Sequence, residues 1–293
     1  MFNPFIEKIE TQDDDIRLIR RIFEGSREDF ESLIFRHQAW IYNIALKMVL
    51  DPGDAEDVTQ EILIKMVTKL SSYNPEKASF RTWLYRIVAN HVINMKKRKY
   101  ENLFTSFEDC AAAAENIPDE SLNASPEHNI MIQELEIKCW TGMLLCLNRK
   151  QRLVFVLGEI FELTDRLGSE ILEISRSNFR KILSRSRKRV YSYMEQACGL
   201  INEENPCHCS RKLKGFIGEG FVNPNHIQFY RENSLKIKEI ISENIQSLRE
   251  LSTPENVRRF REHPFYNPPD FEKWLGTILK TEPLKELFSA TLH

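Results

Sequence analysis

The sequence predicts an all-α protein with two small helical modules, a linker between them and a mainly helical C-terminal extension. Three observations support this fold class. Apolar residues recur at helical spacing along much of the chain, glycine accounts for only 10 of 293 residues, and β-branched residues occur in scattered runs. The length exceeds the usual single domain of about 100 to 200 residues, so more than one module is expected.

The composition is typical of a globular protein that is not inserted in a membrane. Charged residues make up 29% and hydrophobic residues 42% of the chain, which is ordinary for a globular protein. Although the formal net charge is only −2, acidic residues are concentrated around Asp13–Asp15 and basic residues in two later runs. No stretch reaches the roughly 18 apolar residues of a membrane helix, and the first residues lack the pattern of a signal peptide. We therefore expect a cytoplasmic protein without membrane insertion, whose six cysteines form no disulfide framework.

The first module, residues 1–100, is expected to contain three helices. Apolar residues repeat at helical spacing over residues 29–49, and Pro52 and Gly53 then interrupt the pattern. Asp54 is predicted to cap the second helix, which buries one stripe and leaves an acidic face for a partner. The polar residues singled out on that face are Asp54, Asp57, Gln60 and Glu61.

The third helix is predicted to start at Phe80, after a short polar loop, and to become strongly basic at Lys96–Lys99. Its outer face carries Asn90, Asn94, Lys97 and Arg98. Aromatic and basic residues beside a polar loop suit single-stranded DNA, whose bases stack while its phosphates meet cations. Trp83, however, lies at helical spacing with apolar residues and is better explained as part of the core.

The remaining chain divides into three parts. Residues 101–127 have an acidic balance and no sustained periodicity, so they are interpreted as a linker. Helical pattern resumes in residues 128–197, the second module, and residues 198–293 form an extension. Helices are expected in the extension over residues 234–251, 254–262 and 269–280.

The second module contains the segment ELTDRLGSEILEISRSNFRKILSRSRKRVY, which predicts a helix-turn-helix. Between Ser175 and Val190 there are seven Lys or Arg residues and no acid, so the second helix can neutralise several DNA phosphates. A solvated basic helix without a DNA partner is the plainer alternative. The candidate DNA-contacting residues are Arg176, Ser177, Asn178, Arg180, Lys181 and Arg185.

Two motifs together resemble a known family. DAEDVTQEILIKMV followed by FRTWLYRIVANHVINMKKRK resembles the second conserved region of the extracytoplasmic-function sigma factors of bacterial RNA polymerase. The helix-turn-helix resembles their fourth region, and the two motifs occur in the family's order. The resemblance covers roughly residues 24–196, which leaves the C-terminal extension outside it.

The resemblance implies partners for each surface. The face with Asp54, Asp57, Gln60 and Glu61 would bind the clamp helices of the largest polymerase subunit. The loop 72–79 and the face with Asn90, Asn94, Lys97 and Arg98 would melt and hold the promoter −10 element. The helix beginning at Arg176 would read the −35 element as duplex DNA. An anti-sigma protein is a further expected partner, or the extension takes over part of that control.

Two positions depart from the family pattern. Family members commonly have a small turn residue where this chain has Glu173, and an aliphatic residue where it has Gly168. A glutamate at positive φ, and a glycine inside a helix, would each cost on the order of 1 kcal/mol. The sequence thus predicts a less stable or differently shaped helix-turn-helix.

A cysteine and histidine cluster opens the extension. Cys198, Cys207, His208 and Cys209 are ligand types for zinc or another soft metal, although their spacing matches no standard zinc finger. A redox-sensing thiol pair and ordinary structural cysteines are the other two explanations. No cofactor is expected to be required for the main function.

Two other functions compete with the sigma-factor interpretation. A stand-alone helix-turn-helix regulator would share the second module but would not need the acidic helix joined to an aromatic, basic one. A metal-dependent nucleic-acid enzyme could use Asp54, Glu56 and Asp57, but the helix dipole already explains these carboxylates. We therefore expect a protein that is not an enzyme.

Overall fold

The computed structural model describes residues 10–103, 105–119, 126–229, 265–269, 271 and 274. Within these ranges the regular structure is helical apart from one isolated β-bridge, which confirms the all-α class. No helix in the described part of the chain is long and apolar enough to cross a membrane. The α-helices are α1 (Glu10–Phe23), α2 (Arg27–Val49), α3 (Pro52–Thr68), α4 (Phe80–Asn94), α5 (Lys99–Leu103), α6 (Phe107–Asn116), α7 (Pro126–Leu145), α8 (Arg149–Phe155), α9 (Asp165–Ile171), α10 (Arg176–Ala197) and α11 (Cys209–Gly218).

The described residues fall into two compact units. The first unit draws on Met1–Lys96, Val156–Arg180 and Phe265–His293, and the second on Lys97–Phe155 and Lys181–Pro264. The first unit therefore combines helices of the predicted first module with α9 and a short piece of the extension. This grouping is not visible in the order of the sequence motifs.

The core of the first unit is built on α2, which packs against α1, α3 and α4. Trp40 and Tyr85 are fully buried with ring centroids 4.2 Å apart. The Trp40 indole N–H donates to Nδ1 of His37, so Nε2 of the neutral imidazole carries the proton and lies 3.2 Å from Asp15. Burial lowers the pKa of His37, against the opposing effect of Asp15.

Two helix ends differ from the sequence expectation. Asp51, not Asp54, caps α3: its carboxylate accepts the Asp54 backbone N–H at 3.0 Å, and Pro52 occupies the first helical turn. The predicted cap at Asp54 was therefore wrong by three residues, because a proline that needs no N–H partner fits after the cap. Helix α4 ends at Asn94, so Lys97 and Arg98 lie beyond it rather than on its basic end.

The second unit contains the range interpreted as a linker, and this range is partly helical. Helices α5 and α6 lie within it, and Glu101 on α5 is buried between two arginines. Arg149 Nη2 lies 2.7 Å and Arg152 Nη1 3.0 Å from the Glu101 carboxylate. Arg152 also donates to backbone carbonyls at the end of α7, among them that of Leu144 at 3.0 Å. The linker range is thus fastened to the ends of α7 and α8.

The described start of the extension packs on α7. Helix α11, which the sequence analysis did not predict, buries Leu213 against Leu135 of α7. Glu134 of α7 accepts the backbone N–H groups of Gln228 and Phe229 at 3.1 and 2.7 Å. The expected helices over 234–251 and 254–262 lie outside the described residues, as does most of 269–280.

Candidate nucleic-acid and protein interfaces

The predicted helix-turn-helix is present as α9, a short turn and α10. Thr164 caps α9, and the Ser175 hydroxyl accepts the Asn178 backbone N–H at 3.2 Å at the start of α10. Glu173 in the turn has φ of +51°, so the chain does place a glutamate in the left-handed region. The expected strain of about 1 kcal/mol therefore applies at this position.

Gly168 allows α9 and α10 to pack closely, which the sequence did not reveal. A Cβ placed there would lie 2.4 Å from two ring atoms of Phe179, which is itself fully buried. The two helices can approach this closely only because residue 168 has no side chain. The glycine was expected only to weaken α9, whereas it also allows the motif to pack.

The leading end of α10 offers polar and basic side chains to solvent, while Phe179 points inward and Leu183 and Val190 are buried further along. Arg180 is held by an ion pair with Asp165 of α9 at 3.0 Å, with two-thirds of its side chain exposed. The exposed candidates are Arg176, Ser177, Asn178, Arg180, Lys181 and Arg185. This arrangement suits a helix that enters a major groove with its N-terminal turns.

The second set of DNA candidates is divided by the end of α4. Asn90 and Asn94 are exposed on the helix, and the Asn94 amide donates to the Asn90 carbonyl at 2.9 Å. Lys97 is exposed beyond the helix, and Arg98 is half-buried with its backbone N–H bonded to Glu101 at 3.1 Å. The sequence predicted that the four residues share one helical face, but only Asn90 and Asn94 lie on the helix.

Three aromatic rings lie close together, one in the loop before α4 and two in its first turn. Tyr73 in the loop lies 5.3 Å from Phe80 and 5.6 Å from Trp83, measured between ring centroids. Trp83 is half-buried, so it is neither a fully buried core residue nor an exposed ring on which a base could stack freely. Tyr73 was not singled out from the sequence, because an isolated aromatic residue in a polar loop carries no periodicity.

The acidic face of α3 is open to solvent. Asp57 and Glu61 are exposed, and Asp54 and Gln60 are half-buried. Glu61 also lies 3.1 Å from Nε2 of His91 on α4, while Lys65 Nζ lies 2.6 Å from Nδ1 of the same ring. His91 thus connects α3 to α4 and positions the acidic face relative to the outer face of α4.

The cysteine cluster does not assemble as a metal site. Among the described residues no group of three or more His, Cys, Asp or Glu side chains is placed to hold a metal ion. Cys198 and Cys207 pair through a β-bridge, whereas the His208 ring lies against the backbone of Gly199. Burial is the main cause that raises the pKa of Cys207 and Cys209.

Cys139 of α7 lines the same apolar cavity of about 90 Å³ as these cysteines, and burial raises its pKa as well. Protonated thiols in apolar surroundings are poor nucleophiles. The structure therefore favours packing over redox sensing for this group. Cys139 escaped the sequence analysis because it is 59 residues from Cys198, and only the fold brings it near.

Comparison with known proteins adds independent evidence on the first module. Residues 33–101 match the family model described as sigma-70 region 2. The RNA polymerase sigma-H factor of Pseudomonas aeruginosa is 36% identical over 84 residues, which is 29% of this chain and 43% of that protein. The ECF RNA polymerase sigma factor SigM of Bacillus subtilis is 27% identical over 164 residues, 56% of this chain and 92% of that protein.

A solved structure, described as CnrH in complex with the cytosolic domain of CnrY, aligns with a TM-score of 0.45 at 20% identity. The alignment covers 62% of this chain and 97% of the CnrH chain. The match of residues 33–101 makes this part of the chain a sigma-70 region 2 domain. Several of the curated relatives, SigM among them, are named as ECF RNA polymerase sigma factors.

Proposed function

We propose that the chain is a transcription initiation factor that directs bacterial RNA polymerase core enzyme to specific promoters. The observation that carries this proposal is the match of residues 33–101 to sigma-70 region 2. A helix-turn-helix with an exposed basic leading end follows it in the chain, which is the order expected of a factor that recognises two promoter elements. Such a factor works beside the polymerase in the cytoplasm.

The acidic face of α3 is the proposed docking surface for core polymerase. Asp57 and Glu61 are exposed there, and Asp54 and Gln60 are partly accessible. Exposed charges of one sign steer a partner of opposite charge and fix its orientation. Nε2 of His91 on α4 lies 3.1 Å from the Glu61 carboxylate, so this surface lies next to α4.

The outer face of α4 is the proposed contact for the melted −10 element, through Asn90 and Asn94 on the helix and Lys97 and Arg98 after it. Side-chain amides can bond unpaired base edges, and the cations meet phosphates. The leading end of α10 is the proposed contact for duplex −35 DNA, with Asn178 suited to base edges and Arg176 and Lys181 to phosphates or guanine.

Residues 1–100, 101–127 and 128–197 are accordingly proposed as region 2, linker and region 4, and residues 198–293 as a regulatory extension. Thiol ligation of a soft metal by Cys198, Cys207 and Cys209 would require the side chains to move from the positions described above. An anti-sigma protein stays a proposed partner.

The proposal is tested by mixing the purified chain with core polymerase and measuring complex formation and promoter-dependent run-off transcription. Asp57→Arg is expected to weaken core binding, because it reverses an exposed charge on the docking face. Glu31→Arg makes the same charge change at an exposed position of α2 and serves as the matched control. A chain that binds promoter DNA but not core polymerase would be a stand-alone regulator instead.

A further inference from the structure

A short piece of the extension is bound to the first unit at Asn43 of α2. The Asn43 side-chain amide donates to the Tyr266 carbonyl at 2.7 Å, and its side-chain oxygen accepts the Tyr266 backbone N–H at 2.8 Å. Asn43 is fully buried and Tyr266 is 3% exposed. A buried asparagine that pairs with both backbone groups of one residue recognises an extended peptide in a fixed register, since leaving those groups unpaired would be costly.

Aromatic contacts extend this attachment to the segment before α9. Phe265 packs edge to face on Phe161, with ring centroids 6.2 Å apart, and Lys47 Nζ lies 5.7 Å from the centroid of the Phe161 ring. Phe161 follows directly on the π-helical turn Val156–Ile160. The peptide from Phe265 therefore contacts both α2 and the segment that leads into the helix-turn-helix.

Helix α9 in turn lies against α4. Arg86 Nε of α4 donates to the Glu170 carbonyl at 3.3 Å, and the guanidinium lies 3.8 Å from the Glu170 carboxylate and 3.9 Å from that of Glu173. Arg86 is one helical turn before Asn90, so both lie on the same outer face of α4. The carboxylates of Glu170 and Glu173 thus lie beside a cation on the face of α4 that carries the proposed −10 contact.

We propose that residues 265–269 act as an intramolecular latch that keeps α9 on the outer face of α4, so that the extension competes with promoter DNA for that face. The proposal rests on the proposed function of α4. The ion pairs of Arg86 with Glu170 and Glu173 are exposed and weak, so we expect the buried contacts of the latch to strengthen the packing of α9 on α4. Asp57 and Glu61 remain exposed, so core polymerase can bind before the latch opens.

The latch is tested in the full chain by Tyr266→Pro, which removes the N–H that Asn43 accepts and the buried aromatic ring without changing α2. Asn267→Pro is the matched control, because it introduces the same residue at the adjacent exposed position. The first readout is hydrogen exchange in the free protein. We expect faster exchange in α9 of Tyr266→Pro than in the wild type or the control.

The second readout is binding of a labelled duplex with a central single-stranded bubble by the complex with core polymerase. If the latch leaves about a tenth of the molecules open, its release tightens the apparent affinity about tenfold. Unchanged exchange in α9, or unchanged bubble affinity, in Tyr266→Pro would overturn the latch. Failure of the wild-type chain to bind core polymerase would instead remove the proposed function, and the exchange experiment would still decide whether the peptide holds α9.

Discussion

Replacing Glu101 by glutamine tests how the linker range is fastened to α7 and α8. Burial acts to raise the pKa of Glu101, but hydrogen bonds from Arg149 and the Arg98 backbone, with the charge of Arg152, lower it from 4.5 to about 2. A difference of this size corresponds to about 3 kcal/mol of stability from the ionised carboxylate. Because Arg152 is buried, Glu101→Gln also leaves its charge uncompensated, so a loss of about 3 kcal/mol is expected near pH 7.

The loss is measured by urea unfolding of the full chain followed by circular dichroism, with Glu115→Gln at an exposed position of α6 as control. A carboxylate with a lowered pKa contributes its stability above the unfolded pKa of 4.5, and the contribution disappears as pH falls toward 2. The difference between wild type and Glu101→Gln should therefore shrink to about 2 kcal/mol near pH 3.5. A difference below about 1 kcal/mol near pH 7, or one independent of pH, would refute this reasoning.

Three further substitutions test individual features of the first unit. Gly168→Ala should lower the melting temperature despite the better helix propensity of alanine, because overpacking against Phe179 costs about 1 to 3 kcal/mol; an unchanged or higher value would contradict the close approach. Glu173→Gly should raise the melting temperature by relieving the positive φ, at the cost of a weak exposed ion pair, and a lower melting temperature would contradict this. Lys47→Met should stabilise the protein, since burial lowers the pKa of Lys47 from 10.5 to about 7. Between pH 7 and pH 10.5 the unfolded lysine binds a proton that the folded lysine releases, so the free-energy cost of burying Lys47 is full below pH 7 and disappears toward pH 10.5. The stability gained in Lys47→Met, measured by urea unfolding, should therefore fall by roughly half between pH 6 and pH 9. A gain that does not change with pH would contradict this prediction.

The helix-turn-helix and the three main helices of the first module could be predicted because local rules determine them. Helical spacing of apolar residues fixed the core of α2, and the run of basic residues without acid marked the exposed face of α10. The strain at Glu173 followed from turn chemistry alone. These features depend on residues within a few turns of one another.

The features that escaped the sequence analysis depend on contacts between distant residues. Gly168 is explained only by the ring of Phe179 in the facing helix, and Cys139 joins the other cysteines only through the packing of α7. The pairing of Asn43 with Tyr266 joins residues 223 positions apart, and neither carries a motif. A polar residue in an apolar helix face signals a buried partner, but the sequence does not say where that partner lies.

The strength of the contact between α9 and α4 determines whether the latch can regulate at all. Promoter DNA offers a dense row of phosphates, whereas Glu170 of α9 and Glu173 of the following turn offer two partly exposed carboxylates to Arg86 at 3.8 and 3.9 Å. The exposed ion pairs contribute at most about 1 kcal/mol each to holding α9 against this competition. Opening of the latch also has to break two buried hydrogen bonds between the Asn43 side chain and the Tyr266 backbone and to expose an aromatic ring, which favours the closed state. On this proposal, a signal that weakens the attachment at Asn43 and Phe161 would free the outer face of α4.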